Sequence, residues 1–194
     1  KLGAVLWSVF FLVPIGRGRL LEPIAPERAE AVMEWLLEQS EQRAFGLKTT
    51  EAPHYRRVAI ESQQSAQQPC DRTDSIGRRG GIRAGDGFAG VWHTGSVYPS
   101  GFLPLSAGSV RETSVVDIYR DGELFKALRD EDRFRGKCGV CSYRNVCGGS
   151  RSRAYAYTGD PFESDPLCPY VPREYDGPLP DQAFEYDRTE TTSD

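Results

Sequence analysis

Residues 137–170 read KCGVCSYRNVCGGSRSRAYAYTGDPFESDPLCPY and hold four of the five cysteines in the chain. These four are spaced Cys138-x2-Cys141-x5-Cys147-x20-Cys168. Two intervening residues let a tight turn direct the first two sulfurs to one point, with backbone N–H groups left to donate to them. The last cysteine returns from far along the chain, so a shared metal centre would close a long loop. The segment therefore predicts a thiolate-bound metal or iron–sulfur centre that also organises the surrounding fold.

Three chemistries compete for these cysteines. Disulfides are disfavoured because the number of cysteines is odd and the chain shows no recognisable secretory signal. Zinc ribbons usually carry two Cys-x2-Cys knuckles, whereas only Cys138 and Cys141 form one here, so zinc fits the spacing poorly. An iron–sulfur cluster is the favoured interpretation.

The composition limits the classes of partner. The chain has 194 residues, of which 39% are hydrophobic, enough for one ordinary domain or for parts of two. Its net charge of −4 and the lack of a Lys- and Arg-rich run disfavour nucleic acid. The most apolar stretch, residues 2–15, is too short to cross a bilayer, so no membrane association is expected. Thiolate-bound iron needs a reducing compartment, and the cytoplasm is the expected location.

Residues 1–60 predict alternating strands and helices. Residues 4–13 are almost continuously apolar, which is typical of a strand buried on both faces of a parallel sheet. A helix is predicted over residues 26–40 and a second strand over residues 45–49, which together make a β-α-β unit. The buried stripe of the helix is expected to comprise Ala29, Val32, Met33, Leu36 and Leu37.

Smaller elements are predicted nearer the cysteines. A hairpin is expected over residues 87–100 with its turn at Thr94-Gly95, and short helices over residues 114–130 with a break at Gly122. A further helix over residues 150–157 is expected to end at Gly159.

Two further features of the sequence do not predict a helix or a strand. The polar segment 58–79 predicts a linker or a mobile insertion. Arg151 and Arg153 are expected to be solvated, with added positive charge at the cysteine cluster as the alternative.

Two resemblances to a known family cover most of the chain. The run CGVCSYRNVCGGSRSRAYAYTGDPFESDPLCPY, with the sequence around it over about residues 85–172, resembles the auxiliary-cluster domain, of SPASM or twitch type, at the C-terminus of radical S-adenosylmethionine enzymes. FFLVPIGRGR at residues 10–19 and KTTEAPHYRR at residues 48–57 resemble late barrel segments of the radical heme synthases and related tetrapyrrole-modifying enzymes.

The resemblance implies an α/β fold, in which the C-terminal segment of a partial (β/α) barrel is followed by a small α+β cluster-binding domain. Residues 1–60 would end the barrel, 61–85 form a linker, 86–172 form the SPASM or twitch domain, and 173–194 form a disordered acidic tail. Family members carry a Cys-x3-Cys-x2-Cys motif near the start of the barrel, and this sequence has none. The chain is therefore expected to be the C-terminal portion of a larger enzyme, to lack the catalytic cluster and to be inactive alone.

The family implies a set of residues at the barrel rim. Glu51, His54 and Tyr55 are the candidate catalytic residues, and Arg17 is the candidate cofactor-binding residue, since its guanidinium suits a propionate or an S-adenosylmethionine carboxylate. Ordinary hydrogen-bonded loop residues are the alternative for this group. The tetrapyrrole enzymes show a cysteine where this chain has Glu51.

The resemblance also bears on the number of clusters. Full SPASM domains bind two auxiliary clusters, but Ser100 and Ser150 stand at positions where the family often shows cysteine. Cys70 lies in the polar segment without a knuckle partner and is interpreted as a lone thiol. One auxiliary 4Fe-4S cluster is therefore expected, held by Cys138, Cys141, Cys147 and Cys168.

As a function, the resemblance implies the auxiliary-cluster portion of a radical S-adenosylmethionine enzyme of heme biosynthesis that decarboxylates a tetrapyrrole side chain. The parent would use S-adenosylmethionine, a second 4Fe-4S cluster in the missing N-terminal barrel portion, and an electron donor such as ferredoxin or flavodoxin. Two alternatives stay open. One is a peptide-modifying maturase with a peptide substrate, and the other is a zinc- or cluster-stabilised interaction module without catalysis.

Overall fold

A computed structural model of the chain describes residues 3–66 and 82–180. Its first part contains strand β1 (Leu6–Phe10), helix α1 (Pro26–Gln42), strand β2 (Gly46–Thr50) and helix α2 (Tyr55–Ala66), with a short 3₁₀ helix at Gly16–Leu20. β1 and β2 pair in parallel over their full lengths. The predicted β-α-β unit is therefore confirmed, as is the mixed helix and strand composition.

Helix α1 forms where the sequence pattern predicted it. Its first position is Pro26, which needs no N–H partner there, and apolar residues then recur three and four positions apart. Ala29, Met33 and Leu36 are fully buried as expected. Leu167 packs into the same cluster, so the loop that carries Cys168 is anchored to this core.

Strand β1 is shorter and much more exposed than predicted. It covers residues 6–10 of the expected 4–13, and Phe10 is 65% exposed. Within the described residues β1 pairs with β2 alone, and the core cluster beneath it lies on the side of α1. The prediction of burial on both faces is therefore wrong for this chain, because nothing in the described parts covers the second face.

Helix α2 corrects the predicted linker. Residues 58–66 continue a helix that starts at Tyr55, whereas the polar segment 58–79 predicted a linker and the resemblance placed its start at residue 61. Val58 is buried and packs with Tyr55 against the cluster of α1. The buried Arg57 of α2 also pairs with Glu30 of α1, so apolar contacts and an ion pair together dock this helix.

The second part is built from short elements. Strands β3 (Gly90–Val91), β4 (Ser96–Tyr98) and β5 (Gly108–Ser109) form an antiparallel sheet in that order. Helices α3 (Val115–Asp121), α4 (Glu123–Arg129), α5 (Gly136–Val140) and α6 (Arg151–Thr158) follow, with a 3₁₀ turn at Glu131–Arg133. The hairpin, the helix break and the helix end expected at Gly159 all occur as predicted.

Two small apolar clusters support these elements. One joins Val97 of β4 to Ile118 and Phe125 of α3 and α4, and the other contains Leu103 and Leu128. The chain thus reaches the cysteines from a packed frame. Among the helices of residues 3–66 and 82–180, none combines the length and the apolar character needed to cross a membrane.

Candidate metal centre and the adjoining cleft

The four cysteines of the 137–170 segment line one pocket. Cys138 lies in α5 and Cys141 directly follows that helix, while Cys147 and Cys168 come from the loops before and after α6. All four are free thiols. Residues far apart in sequence therefore present sulfur to the same space, as the spacing predicted.

Two consecutive glycines shape one wall of this pocket. Gly148 and Gly149 have φ values of 66° and 65°, in the left-handed region that other residues avoid. A Cβ on Gly149 would lie 2.5 Å from Arg151 Nη2 and 3.2 Å from the Cys138 sulfur. The tight turn lets the Gly149 N–H donate to Cys147 Sγ over 3.4 Å. Only glycine allows the backbone to approach the sulfurs this closely.

Positive charge surrounds the sulfurs. Arg151 Nη2 donates to Cys138 Sγ over 3.4 Å, and Lys137 Nζ donates to the Cys168 carbonyl oxygen over 2.6 Å. Arg57 from α2 and Arg144 also line the pocket. Thiolates and an anionic cluster are stabilised by such donors and charges.

Burial favours the protonated form of three thiols in this pocket. Burial raises the pKa of Cys147, and burial raises the pKa of Cys168 to about 12 although the charge of Arg57 opposes the shift. Burial likewise raises the pKa of Cys141. Metal binding at these sulfurs must therefore displace protons, which makes loading pH-dependent.

The described residues contain no preformed site for a single metal ion. Within residues 3–66 and 82–180, no three His, Cys, Asp or Glu side chains form a group that would hold one metal ion. Four thiolates on one zinc ion would lie about 3.8 Å from each other, given Zn–S bonds of about 2.3 Å in a tetrahedron. In a 4Fe-4S cluster each thiolate binds a different iron, so the four sulfurs surround the cluster instead of a single ion.

Asp165 holds the loops around the pocket together. It is fully buried, and its carboxylate accepts from Arg153 Nη1 at 3.0 and 3.2 Å, from Ser150 N at 2.7 Å and from Leu167 N at 3.0 Å. Burial alone would raise the pKa of Asp165, but Arg153 and these amides hold it below its usual value. Asp165 thus joins the start of α6 to the loop that carries Cys168.

A second, larger cavity adjoins the cysteine pocket. This cleft has a volume of about 380 Å³ and lies between the end of β2 and the loops of the second part. Its lining includes Lys48, Glu51, Phe88, Phe102 and Ser150. The volume falls within the range of small-molecule sites.

Glu51 connects the cleft to helix α6. Its backbone has a φ of 56°, a left-handed conformation unusual for a residue other than glycine. Its carboxylate accepts from Ser150 Oγ at 2.5 Å and from Ser152 Oγ at 3.4 Å, and its carbonyl oxygen accepts from Arg153 Nη2 at 2.6 Å. Burial raises the pKa of the Glu51 carboxyl, against the opposing effects of Ser150 and Arg153.

Of the four predicted rim residues, the structure brings only Glu51 into the cleft. His54 is completely buried, with Nδ1 4.0 Å from Asp165 Oδ2, and neither of its ring nitrogens has a hydrogen-bond partner among the described residues. Tyr55 packs on the α1 core, and Arg17 is exposed on its 3₁₀ turn and lines neither cavity. The four side chains therefore do not converge as expected. Cys70 lies outside the described residues.

Arg151 and Arg153 also differ from the expectation. Both are 1% exposed, not solvated, because each is satisfied inside the fold. Arg151 donates to the carbonyl oxygens of Pro161 and Glu163, and Arg153 donates to Leu12 O as well as to Asp165. The alternative interpretation, added positive charge at the cysteines, describes Arg151 better.

Sequence reasoning missed Asp165 and Ser152 altogether. Both lie inside the cysteine segment, but an aspartate before a proline and a serine in a helix are common in loops and surface helices. Their roles depend on partners at residues 51 and 153, which no local pattern specifies.

Comparison with known proteins identifies what this arrangement is similar to. An AdoMet-dependent heme synthase from Methanosarcina barkeri is 40% identical over 178 residues, which are 89% of this chain and 50% of that protein. The enzyme of the same name from Nitratidesulfovibrio vulgaris is 40% identical over 179 residues, 89% of this chain and 48% of that protein. The chain is similar to the AdoMet-dependent heme synthases. The chain spans about half of the length of these two enzymes.

A shorter match points to the same group of enzymes. A pre-heme d1 synthase from Dinoroseobacter shibae is 36% identical over 93 residues, 46% of this chain and 23% of that protein. The resemblance to radical S-adenosylmethionine enzymes that act on tetrapyrroles is therefore confirmed. No protein-family model matches the chain.

Proposed function

We propose that this chain is the auxiliary iron–sulfur portion of a radical S-adenosylmethionine enzyme that decarboxylates a tetrapyrrole side chain in heme biosynthesis. One observation carries the proposal: four cysteines from three segments line one pocket, with Gly149 and Arg151 donating to two of their sulfurs. The similarity to AdoMet-dependent heme synthases supplies the substrate class.

The residues fit one 4Fe-4S cluster. Cys138, Cys141, Cys147 and Cys168 would each bind one iron, and the cluster would supply a group that takes up and releases single electrons. The surrounding guanidinium and ammonium groups stabilise negative charge on the sulfurs. The glycine turn keeps other side chains out of the pocket.

The two serines support a single cluster. Ser150 Oγ accepts from Arg153 N and donates to Glu51, while Ser100 Oγ accepts from Phe102 N. Both hydroxyls therefore form hydrogen bonds that stabilise the wall of the cleft. Ser100 and Ser150 stabilise the wall and provide no sulfur ligand for a second cluster.

The rim residues divide into two roles in this proposal. Glu51 lines the cleft and acts there as a positioning residue through Ser150 and Ser152, while the buried His54 and the half-buried Tyr55 support the wall. Arg17 stays a predicted carboxylate ligand.

Residues 1–60 are proposed as the last part of a barrel. The exposed apolar side chains of β1 suit packing against further protein. Residues 86–172 are proposed as the SPASM or twitch domain. The parent would carry the S-adenosylmethionine site with its own 4Fe-4S cluster and would receive electrons from ferredoxin or flavodoxin.

The test uses the full-length protein that contains this chain. Incubated anaerobically with S-adenosylmethionine, a reductant to start its cleavage, a one-electron acceptor and a propionate-bearing iron tetrapyrrole, it should convert propionate groups to vinyl groups. Each conversion would transfer one hydrogen atom to the 5′-deoxyadenosyl radical and one electron to the acceptor and release carbon dioxide, and mass spectrometry would detect the vinyl product and 5′-deoxyadenosine. Cys168→Ala should abolish the product, whereas Glu41→Gln on the exposed surface of α1 should not. An unchanged tetrapyrrole together with a modified peptide would overturn the substrate assignment.

A further inference from the structure

The cleft and the cysteine pocket are separated by a very thin wall. Gly149 lines both cavities, and Arg151 lines the cleft while its Nη2 donates to the Cys138 sulfur in the pocket. Two positions before Gly149, the Cys147 sulfur in the pocket accepts from Gly149 N. Residues 149–151 thus line the cleft on one side and donate to two cysteine sulfurs on the other.

Glu51 fixes this wall from the cleft side. Its carboxylate accepts from Ser150 and Ser152, so it binds the residues on either side of Arg151. From the opposite direction, Asp165 accepts from Ser150 N. Any change in the contacts of the Glu51 carboxylate therefore acts on the segment that positions the Arg151 guanidinium and the Gly149 amide.

The cleft has the chemistry to bind a flat, apolar molecule that carries a carboxylate. Phe88 and Phe102 are 40% and 36% exposed and offer ring faces. Lys48 is exposed at the cleft, and it has no ion pair with any residue in 3–66 or 82–180. The Thr50 hydroxyl, also in the lining, is buried and has no partner among those residues.

We propose that Glu51 and residues 149–151 couple the two cavities, so that a carboxylate-bearing planar ligand in the cleft and the electron on the cluster weaken each other's binding. This inference rests on the cluster of the proposed function. Glu51 is a positioning residue in this account, because it acts on the cluster through Ser150 and Arg151.

The sign of the coupling follows from charge. Reduction adds one negative charge to the cluster, so an anionic ligand on the other side of the wall binds the oxidised form more tightly. Coupling between two sites is reciprocal, so the same ligand must lower the midpoint potential of the cluster. A ligand that binds the oxidised form about tenfold more tightly lowers the potential by about 59 mV.

The experiment uses the full chain, reconstituted with iron and sulfide under anaerobic conditions. Mesoporphyrin, which carries two carboxylates, serves as the anionic probe, and its dimethyl ester serves as the matched uncharged probe. Porphyrin absorption measures binding, and a redox titration followed by electron paramagnetic resonance measures the potential. The acid should lower the potential by about 59 mV and the ester by much less. Lys48→Ala should weaken binding of the acid and leave binding of the ester unchanged.

Two Glu51 variants separate coupling from simple loss of structure. Glu51→Gly suits the backbone φ of 56° and removes the carboxylate, so the chain should still bind iron and probe, but the probe should shift the potential by much less than about 59 mV, because only the direct charge effect across the wall is left. Glu51→Gln retains an acceptor for Ser150 and should restore most of the shift. Glu41→Gln is the surface control.

The outcomes distinguish the two proposals. A chain that takes up no iron overturns the proposed cluster and with it this coupling. A chain that binds iron but not mesoporphyrin, or that binds it without a change of potential, overturns the coupling and leaves the cluster intact. A full shift in Glu51→Gly would show that Glu51 is not the connection.

Discussion

Replacing Asp165 by alanine should remove the charge that neutralises a buried arginine beside the cysteine pocket. Asp165 and Arg153 are both essentially inaccessible, at 0% and 2% side-chain exposure. Removing one partner of a buried ion pair costs about 3–5 kcal/mol, and each buried N–H left unpaired costs about 1–3 kcal/mol. Water that enters the vacated space offsets part of this cost. We expect Asp165→Ala to lower the free energy of unfolding by about 4 kcal/mol.

The assay is urea unfolding of the iron-free chain, followed by tryptophan fluorescence. With a dependence of about 2 kcal/mol per molar urea, the expected loss lowers the midpoint by about 2 M. Asp132, which pairs with Arg144 at 84% and 39% side-chain exposure, provides the matched control. Asp132→Ala should cost less than about 1 kcal/mol. Equal and small losses in both variants would refute the reasoning that Asp165 joins the two loops.

Two further predictions concern a titration and a glycine. Burial lowers the pKa of His54 to about 4 from an ordinary value near 6.5, so the unfolded chain takes up this proton first and stability falls as the pH drops through that window. Between pH 8 and pH 5, protonation linked to His54 should lower the free energy of unfolding by about 2 kcal/mol. His54→Leu should remove that part of the pH dependence in urea unfolding. Parallel pH profiles of the two chains would contradict this. Gly149→Ala meets Asp165 Cβ at 2.9 Å in addition to its left-handed φ, whereas Gly159→Ala at φ 75° meets nothing within 4 Å. Gly149→Ala should therefore lose iron and stability. Gly159→Ala should lower the free energy of unfolding only by the cost of a left-handed backbone, about 1–2 kcal/mol. Equal melting temperatures for the two variants would show that the turn at Gly149 tolerates a side chain.

The sequence predicted the elements whose signals are local. The helix stripe at Ala29, Met33 and Leu36, the turn before Gly95 and the helix end at Gly159 are all set by residues a few positions apart. The gathering of the four cysteines was also predictable, because their spacing carries the information directly.

The remaining features depend on contacts between distant segments. The burial of Arg153 follows from Asp165, Glu51 and Leu12, which only the folded chain brings together. The placement of His54 below the rim, instead of in the cleft, has the same origin. The exposure of β1 was missed because its apolar sequence specifies a buried strand, and the described residues supply a cover for one face alone.

The iron and sulfide content of the reconstituted chain shows whether these four cysteines hold one 4Fe-4S cluster. One cluster on four thiolates predicts about four iron and four sulfide per chain with little zinc. Replacing Cys138, Cys141, Cys147 or Cys168 by alanine should each lose the iron, whereas Cys70→Ala should retain it. About eight iron per chain, a full equivalent of zinc, or loss of iron in Cys70→Ala would contradict the proposed cluster and its ligands.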